Sequence, residues 1–270
     1  DDNIFEMTGG TIKVYDVCGQ DGSGISRAFE VNSLPAYYNV SGGNVEILPT
    51  AGSGTEYDYY IASSAPVYNL TIDDSDGSGS DVVLTNIPAK TGVTERTNPP
   101  LKVLNDLALT NGGSLNATGY EVQVGGDFDL PSGCTYTTGS NRTTINGNGY
   151  QTYTGGGSID GGSGFFKLSV DKPSDTLIFA GSPGSYNIQD SLQIMGGVMD
   201  DGGKTLNVAG HIYNAGEHTG TGRIVLNGSV TQTLEQSVFG SPALGHVELD
   251  NSNNAELLSD LRMNQFTFTN

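Results

Sequence analysis

The sequence predicts an all-β fold: a right-handed parallel β-solenoid, or β-helix, built of imperfect repeats. Three observations carry this expectation. The composition is that of strands and corners, apolar and polar residues alternate in short runs, and those runs recur at fixed offsets. Forty glycines and 13 tyrosines stand beside only 15% charged residues, with Thr, Ser and Asn filling the polar positions. β-Branched and aromatic side chains fit a pleated surface, whereas Gly, Asn and Asp supply positive φ at corners. A hydrophobic content of 35% is low for a globule, so the core it fills is thin and continuous, as in stacked coils.

Residues 1–65 form short Gly-Gly strand repeats. Met7-Thr8-Gly9-Gly10-Thr11-Ile12-Lys13-Val14 matches Val40-Ser41-Gly42-Gly43-Asn44-Val45-Glu46-Ile47, 33 residues further on. Each copy has a Gly-Gly corner followed by period-two alternation, the pattern of a strand with one buried face. A first long repeat covers 66–163 and includes an inserted acidic loop, 73–100. A second covers 164–244, and 245–270 is a truncated third copy, from which we expect the chain to be a segment of a longer array. Asn146-Gly147, followed by Gln151-Thr152, recurs 81 residues later as Asn227-Gly228 and Gln232-Thr233. Glu121-Val122-Gln123-Val124-Gly125-Gly126 matches Thr205-Leu206-Asn207-Val208-Ala209-Gly210, and Asn105-Asp106-Leu107-Ala108-Leu109 matches Asp190-Ser191-Leu192-Gln193-Ile194. No helical periodicity competes with these patterns.

An array of antiparallel β-sandwich modules is the alternative, with Asn146-Gly147 and Asn227-Gly228 as hairpin turns. For the solenoid, coils of about 20 to 25 residues stacked ~4.8 Å apart give a rod roughly 50 to 60 Å long. In a stack, Cys18 and Cys134 fall several coils apart, beyond disulfide reach, so two separate thiols are expected.

A net charge of −19 opposes attraction to nucleic acid and to anionic membrane surfaces. No run of eighteen apolar residues is present, so no membrane insertion is expected, and Asp1, Asp2 and Asn3 do not open a signal peptide.

The Gly-Gly-[Thr/Asn]-[Ile/Val] opening, then Ala65-Pro66-Val67-Tyr68-Asn69-Leu70-Thr71-Ile72, Val103-Leu104-Asn105-Asp106-Leu107, Val124-Gly125-Gly126-Asp127-Phe128 and the Asn-Gly-x-x-x-Gln-Thr motif follow one another in an order that resembles the repeat region of large cell-surface proteins of Bacteroidetes-type bacteria. Those proteins are exported by the type nine secretion system. The resemblance implies an extracellular, adhesin-like stalk or filament without a catalytic centre. Its expected partners are neighbouring repeats of the same long chain, surface glycans and other cell-surface proteins. A carbohydrate-binding or polysaccharide-degrading β-helix is the alternative.

Candidate sites are few. Asp74, Asp76, Ser78 and Asp81 lie in the densest carboxylate cluster and follow the first half of an EF-hand-like spacing, which makes them a candidate calcium loop, although Thr85 stands where a bidentate Glu would close it. Asp200 and Asp201 with His211 have the residue types of a β-helical polysaccharide hydrolase, but they align with turn residues of the earlier copy, and no catalytic assignment is made. His211, His218 and His246 lack ligand spacing. Gly155-Gly156-Gly157 reads as corners, since no helix follows to make a phosphate cradle. Tyr37, Tyr38, Tyr57, Tyr59 and Tyr60 are expected to pack in the core or at an edge. By resemblance to the bacterial group, Thr176 and Ser191, within Asp-[Ser/Thr]-apolar tripeptides, are candidate O-glycosylation positions.

Overall fold

The computed structural model describes residues 4–16, 27–50, 58–87, 97–237 and 243–269. Strands make up 59% of the chain and stack as a parallel solenoid of about nine turns. Every ladder pairing among the described residues is parallel, which excludes the antiparallel sandwich array; Asn146-Gly147 leads from one coil face to the next and closes no hairpin.

Each complete coil has three faces, illustrated by strands Leu101–Val103, Leu107–Thr110 and Ser114–Asn116. On the first face, Val103, Val124, Ile145, Val170 and Ile194 point inward in succession. On the second, the inward column runs Val45, Leu70, Leu107, Phe128, Tyr153, Phe179. On the third it runs Tyr59, Val82, Leu115, Tyr136, Ile159, and resumes above as Ile188, Val208, Leu226. Period-two alternation thus puts one apolar row from every face inside. The result is a single core cluster from Met7 to Val247. Nine turns at ~4.8 Å give a rod of roughly 43 Å, shorter than the sequence suggested. The difference lies in the early coils, where Val45 follows Ile12 after 33 residues and Leu107 follows Leu70 after 37.

The inserted loop 73–100 is only partly an insertion, because Asp81–Leu84 is itself a third-face strand; its residues 88–96 lie outside the described residues.

The repeats map onto the coils in two ways. Met7 pairs directly with Val40 and Ile12 with Val45, so the 33-residue relative is one coil. The 81-residue offset is not a whole number of coils. Strand Arg142–Ile145 lies on the first face, whereas its counterpart Arg223–Leu226 lies on the third. Strand Gln151–Gly155 lies on the second face and its counterpart Gln232–Gln236 on the first. Successive long copies are therefore related by three coils and two of three faces.

A polar ladder reinforces the stacking outside the second face. Asn69 donates to Asn44 Oδ1 at 2.7 Å and accepts from Asn105 Nδ2 at 2.8 Å. Further up, Asp106 and Asp127 each accept a backbone N–H from the next coil, of Asp127 and Thr152 respectively. Cys134 is buried with a free thiol; Cys18 lies outside the described residues.

Candidate functional site

The third-face ladder is interrupted once. Strand Ser158–Ile159 ends the six-stranded sheet, and residues 185–188 above it pair upward with Thr205–Val208, while below them only Ile188 is paired, with Phe165. Between these edges lies a cleft lined by Tyr153, Ile159, Phe165, Pro183, Ser185, Tyr186 and Asn187, with several glycines. Six of the ten residues 155–164 are glycine, and close approach explains two of them. A Cβ on Gly157 would lie 2.6 Å from Cys134 O, and one on Gly164 only 2.1 Å from Asn187 O. The coils touch at these glycines and part between them.

The rim is fixed by polar ties. Asp160, in the turn below the cleft, accepts the backbone N–H of Thr138 at 2.7 Å and of Gly139 at 3.2 Å, together with the Thr138 hydroxyl. From above, Gln189 donates to Gly164 O at 2.9 Å, tying the upper coil to the same turn. The floor is the hub of an aromatic cluster: Tyr153 contacts Phe128, Phe165, Phe179 and Tyr186 at centroid distances of 5.3 to 5.6 Å. Edge-on and tilted pairs of this kind hold rings rigidly.

One polar group in this floor lacks a partner. The buried tyrosines are Tyr59, Tyr120, Tyr136, Tyr153 and Tyr186. Tyr59 donates to Tyr15 O, Tyr120 to Asn86 Oδ1 and Tyr186 to Ala180 O, while Tyr136 shares a bond with Thr143 Oγ1. The Tyr153 hydroxyl alone has no hydrogen-bond partner among the described residues, though the side chain is 2% exposed. Burial, with the phenols of Tyr186 and Tyr136 nearby, pushes its ionisation up from the ordinary tyrosine value, so the group is a neutral hydroxyl able to donate and to accept. No lining residue carries a charge at neutral pH, on a chain whose net charge is −19.

The sequence-flagged residues lie elsewhere. Asp74 accepts from the Ser78 backbone and hydroxyl at 2.9 and 2.6 Å and from Gly79 N at 3.0 Å; Asp76 accepts from Ser78 N at 3.1 Å. The Asp74 carboxylate thus caps its own turn, and Asp81 opens the following strand. Among the described residues no three His, Cys, Asp or Glu side chains group so as to hold a metal ion. Asp73, beside them, is held below the usual carboxylate range: burial opposes this, but hydrogen bonds from Thr110, Asn111 and Ser75 outweigh it.

Asp201 is not a turn filler. It is fully buried, as is His218, and His218 Nε2 lies 3.0 Å from Asp201 Oδ2. Asp201 Oδ1 also accepts the N–H groups of Gly203 and Gly222 at 2.8 Å. Since His218 Nδ1 accepts Gly245 N–H, Nε2 carries the proton and donates to the carboxylate. His211, which the sequence grouped with Asp201, instead faces outward on the first face and bonds Thr233. The pair is sealed from solvent within the core. Thr176 is half-buried within a strand, and Ser191 is 9% exposed between Lys167 and His211. Tyr59 is core, Tyr37 and Tyr60 lie nearer the surface, and Tyr57 lies outside the described residues.

Sequence reasoning missed the cleft. The glycine density of residues 155–164 was its signal, but corner glycines occur throughout the chain, and a gap between coils has no motif. Comparison of the chain with known protein families, with curated proteins and with solved structures finds no match.

Proposed function

We propose that this chain is an extracellular structural and adhesive segment of a large bacterial surface protein, of the kind exported by type nine secretion, and that it acts as a stalk surface and not as an enzyme. The observation that supports this reading most is the outer lattice of the third face. Ser114 and Asn116, Thr135 and Thr137, and Thr205 and Asn207 flank inward apolar residues and present small uncharged hydroxyls and amides. Such rows repeat at the coil spacing, about 4.8 Å along the rod and about 6.8 Å across it. Hydrogen-bonding groups spread this way give weak contacts that add through multivalency. The neighbouring repeats of a long chain would extend the same surface, and surface glycans or cell-surface proteins are its partners.

The test is retention of protein-coated beads under flow on glycan-coated and cell-derived surfaces, run beside a panel of polysaccharides. Retention that grows with bead coating density, with no release of reducing ends, is the expected result. Beads that wash off every surface would remove the adhesive role, and released oligosaccharides would replace it with the polysaccharide-degrading alternative.

A further inference from the structure

We infer that the cleft between strand Ser158–Ile159 and residues 185–188 is a binding site for a single neutral pyranose ring, with the Tyr153 hydroxyl as its buried hydrogen-bonding group. This inference rests on the adhesive reading and assigns that reading a specific contact. Of the five buried tyrosines among the described residues, Tyr153 alone has a hydroxyl with no partner, and it lines the cleft. The hydroxyl is not among the sealed side-chain atoms that lack a partner, so it opens on the cleft and is free to bond what enters it. A ligand hydroxyl would pair it. Ser185 and Asn187, exposed on the upper lip, supply a hydroxyl and an amide, while Pro183, Ile159 and the aromatic floor supply apolar surface. That mixture suits a sugar ring, which is amphipathic and rich in hydroxyls. The absence of lining charge selects against uronates and amino sugars, whose charge would enter the cleft unpaired. The site is also built before any ligand arrives, because Asp160, Gln189 and the contact glycines hold its two lips.

The experiment is a protein-observed NMR titration of the whole chain with methyl glycosides of glucose, galactose and mannose, and with glucuronic acid and glucosamine as charged counterparts. Saturable shifts at Gly162, Gly164 and Tyr186 with at least one neutral glycoside, with Kd on the order of 1 mM, are expected. The charged sugars should bind at least about tenfold more weakly. Tyr153→Phe removes only the unpaired hydroxyl, so it should keep the melting temperature and lose about tenfold in affinity. Ser185→Tyr, on the exposed lip, should block the cleft in a folded protein. Unchanged affinity in Tyr153→Phe, shifts that map to the outer Ser/Thr/Asn rows, or binding of aromatic peptides in place of sugars would each overturn the site. In the first two cases bead adhesion would persist in Tyr153→Phe and the adhesive reading would stand; loss of adhesion by the wild-type chain would remove that reading by itself.

Discussion

Gln151 and Gln232 show what the recurring Asn-Gly-x-x-x-Gln motif does. Gln151 Oε1 accepts Gly147 N–H at 3.0 Å, and its Nε2 donates to Gly126 O at 2.6 Å. Gln232 repeats this with Gly228 N at 2.8 Å and with the carbonyls of Val208 and Gly210. One amide thereby satisfies backbone groups of two coils at a corner where the ladder cannot. The third donor differs between copies: buried Lys172 donates to Gly147 O and Gln151 Oε1, whereas Asn251 donates to Gln232 Oε1. Burial lowers the Lys172 ionisation despite Asp175 and Asp127 nearby. A depressed folded value means that, between it and the unfolded value of 10.5, the unfolded chain binds the extra proton, so stability rises with pH there. We expect urea denaturation on the alkaline side of neutrality, below the unfolded lysine value, to show this contribution as a difference between wild type and Lys172→Met, which abolishes it while changing neutral-pH stability by no more than about 1–2 kcal/mol. A variant with the wild-type slope would refute the assignment. Asp201 has the opposite sign. Burial works against its charge, but hydrogen bonds from His218, Gly222 and Gly203 hold its ionisation below the usual 3.8, so its contribution is present above that value and lost as pH falls through the folded one. Asp201→Asn replaces one acceptor oxygen by an NH2, which must face either His218 Nε2–H or the N–H groups of Gly203 and Gly222, unless the imidazole changes tautomer and forfeits Gly245 N–H. A loss of about 2–3 kcal/mol at pH 7 is expected, narrowing in acid; a gap that stays constant down to pH 2 would contradict it.

At the level of elements, the corners carry the specificity. The sequence assigned their glycines to positive φ, and this holds for Gly119 at +91° and Gly133 at +92°. Others are there because coils touch. A Cβ on Gly147 would sit 1.6 Å from Gly125 O, and its counterpart Gly228 would place one 2.1 Å from Ala209 O. The two causes have different consequences. Gly119→Ala meets open space and pays backbone strain alone, about 1 kcal/mol. Gly147→Ala must separate two coils, so a loss of more than about 3 kcal/mol, or failure to fold, is expected. Equal losses in equilibrium denaturation would show that close approach does not govern this corner. Strand existence and inward residues were legible in the sequence because alternation and burial report the same fact, as in Val122-Gln123-Val124. The face on which each strand lies was not legible, since alternation looks the same on all three. The cleft escaped for a related reason: Tyr153 reads as an ordinary inward aromatic, and only the missing pairing above Ser158–Ile159 exposes it.

Across the whole rod, the interior changes character. From Phe128 to Tyr186 it is filled with interlocked aromatic rings. Above this region the inward columns turn polar: Asp201 follows Phe179, Asn214 and Gln236 follow Ile194, and His218 follows Met199. The amide of Asn214 is buried with neither atom hydrogen-bonded. Solenoid stability is approximately a sum of coil terms and nearest-neighbour contacts, so such a gradient makes unfolding uneven along the axis. Aromatic burial contributes strongly and with defined geometry, whereas each buried polar group must be matched to avoid a cost. The strands Ala255–Leu257 and Met263–Phe268 beyond the polar stretch have exposed apolar side chains such as Leu257 and Phe268, and so add less burial than central coils. Native-state hydrogen exchange should therefore show the slowest amides at Tyr153, Phe165 and Phe179, with exchange rising through residues 212–237 and 243–249 in a separate, less stable cooperative unit. Asn214→Val, which returns the column to the residue type of Ile194 and Val170, should slow exchange in that upper unit by roughly tenfold or more and leave the aromatic coils unchanged, since removing an unsatisfied buried amide recovers about 1–3 kcal/mol. Uniform protection from Phe128 to Val247, or an effect of Asn214→Val spread over the whole rod, would mean that the solenoid unfolds as one unit and that the polar stretch is no weaker than the aromatic one.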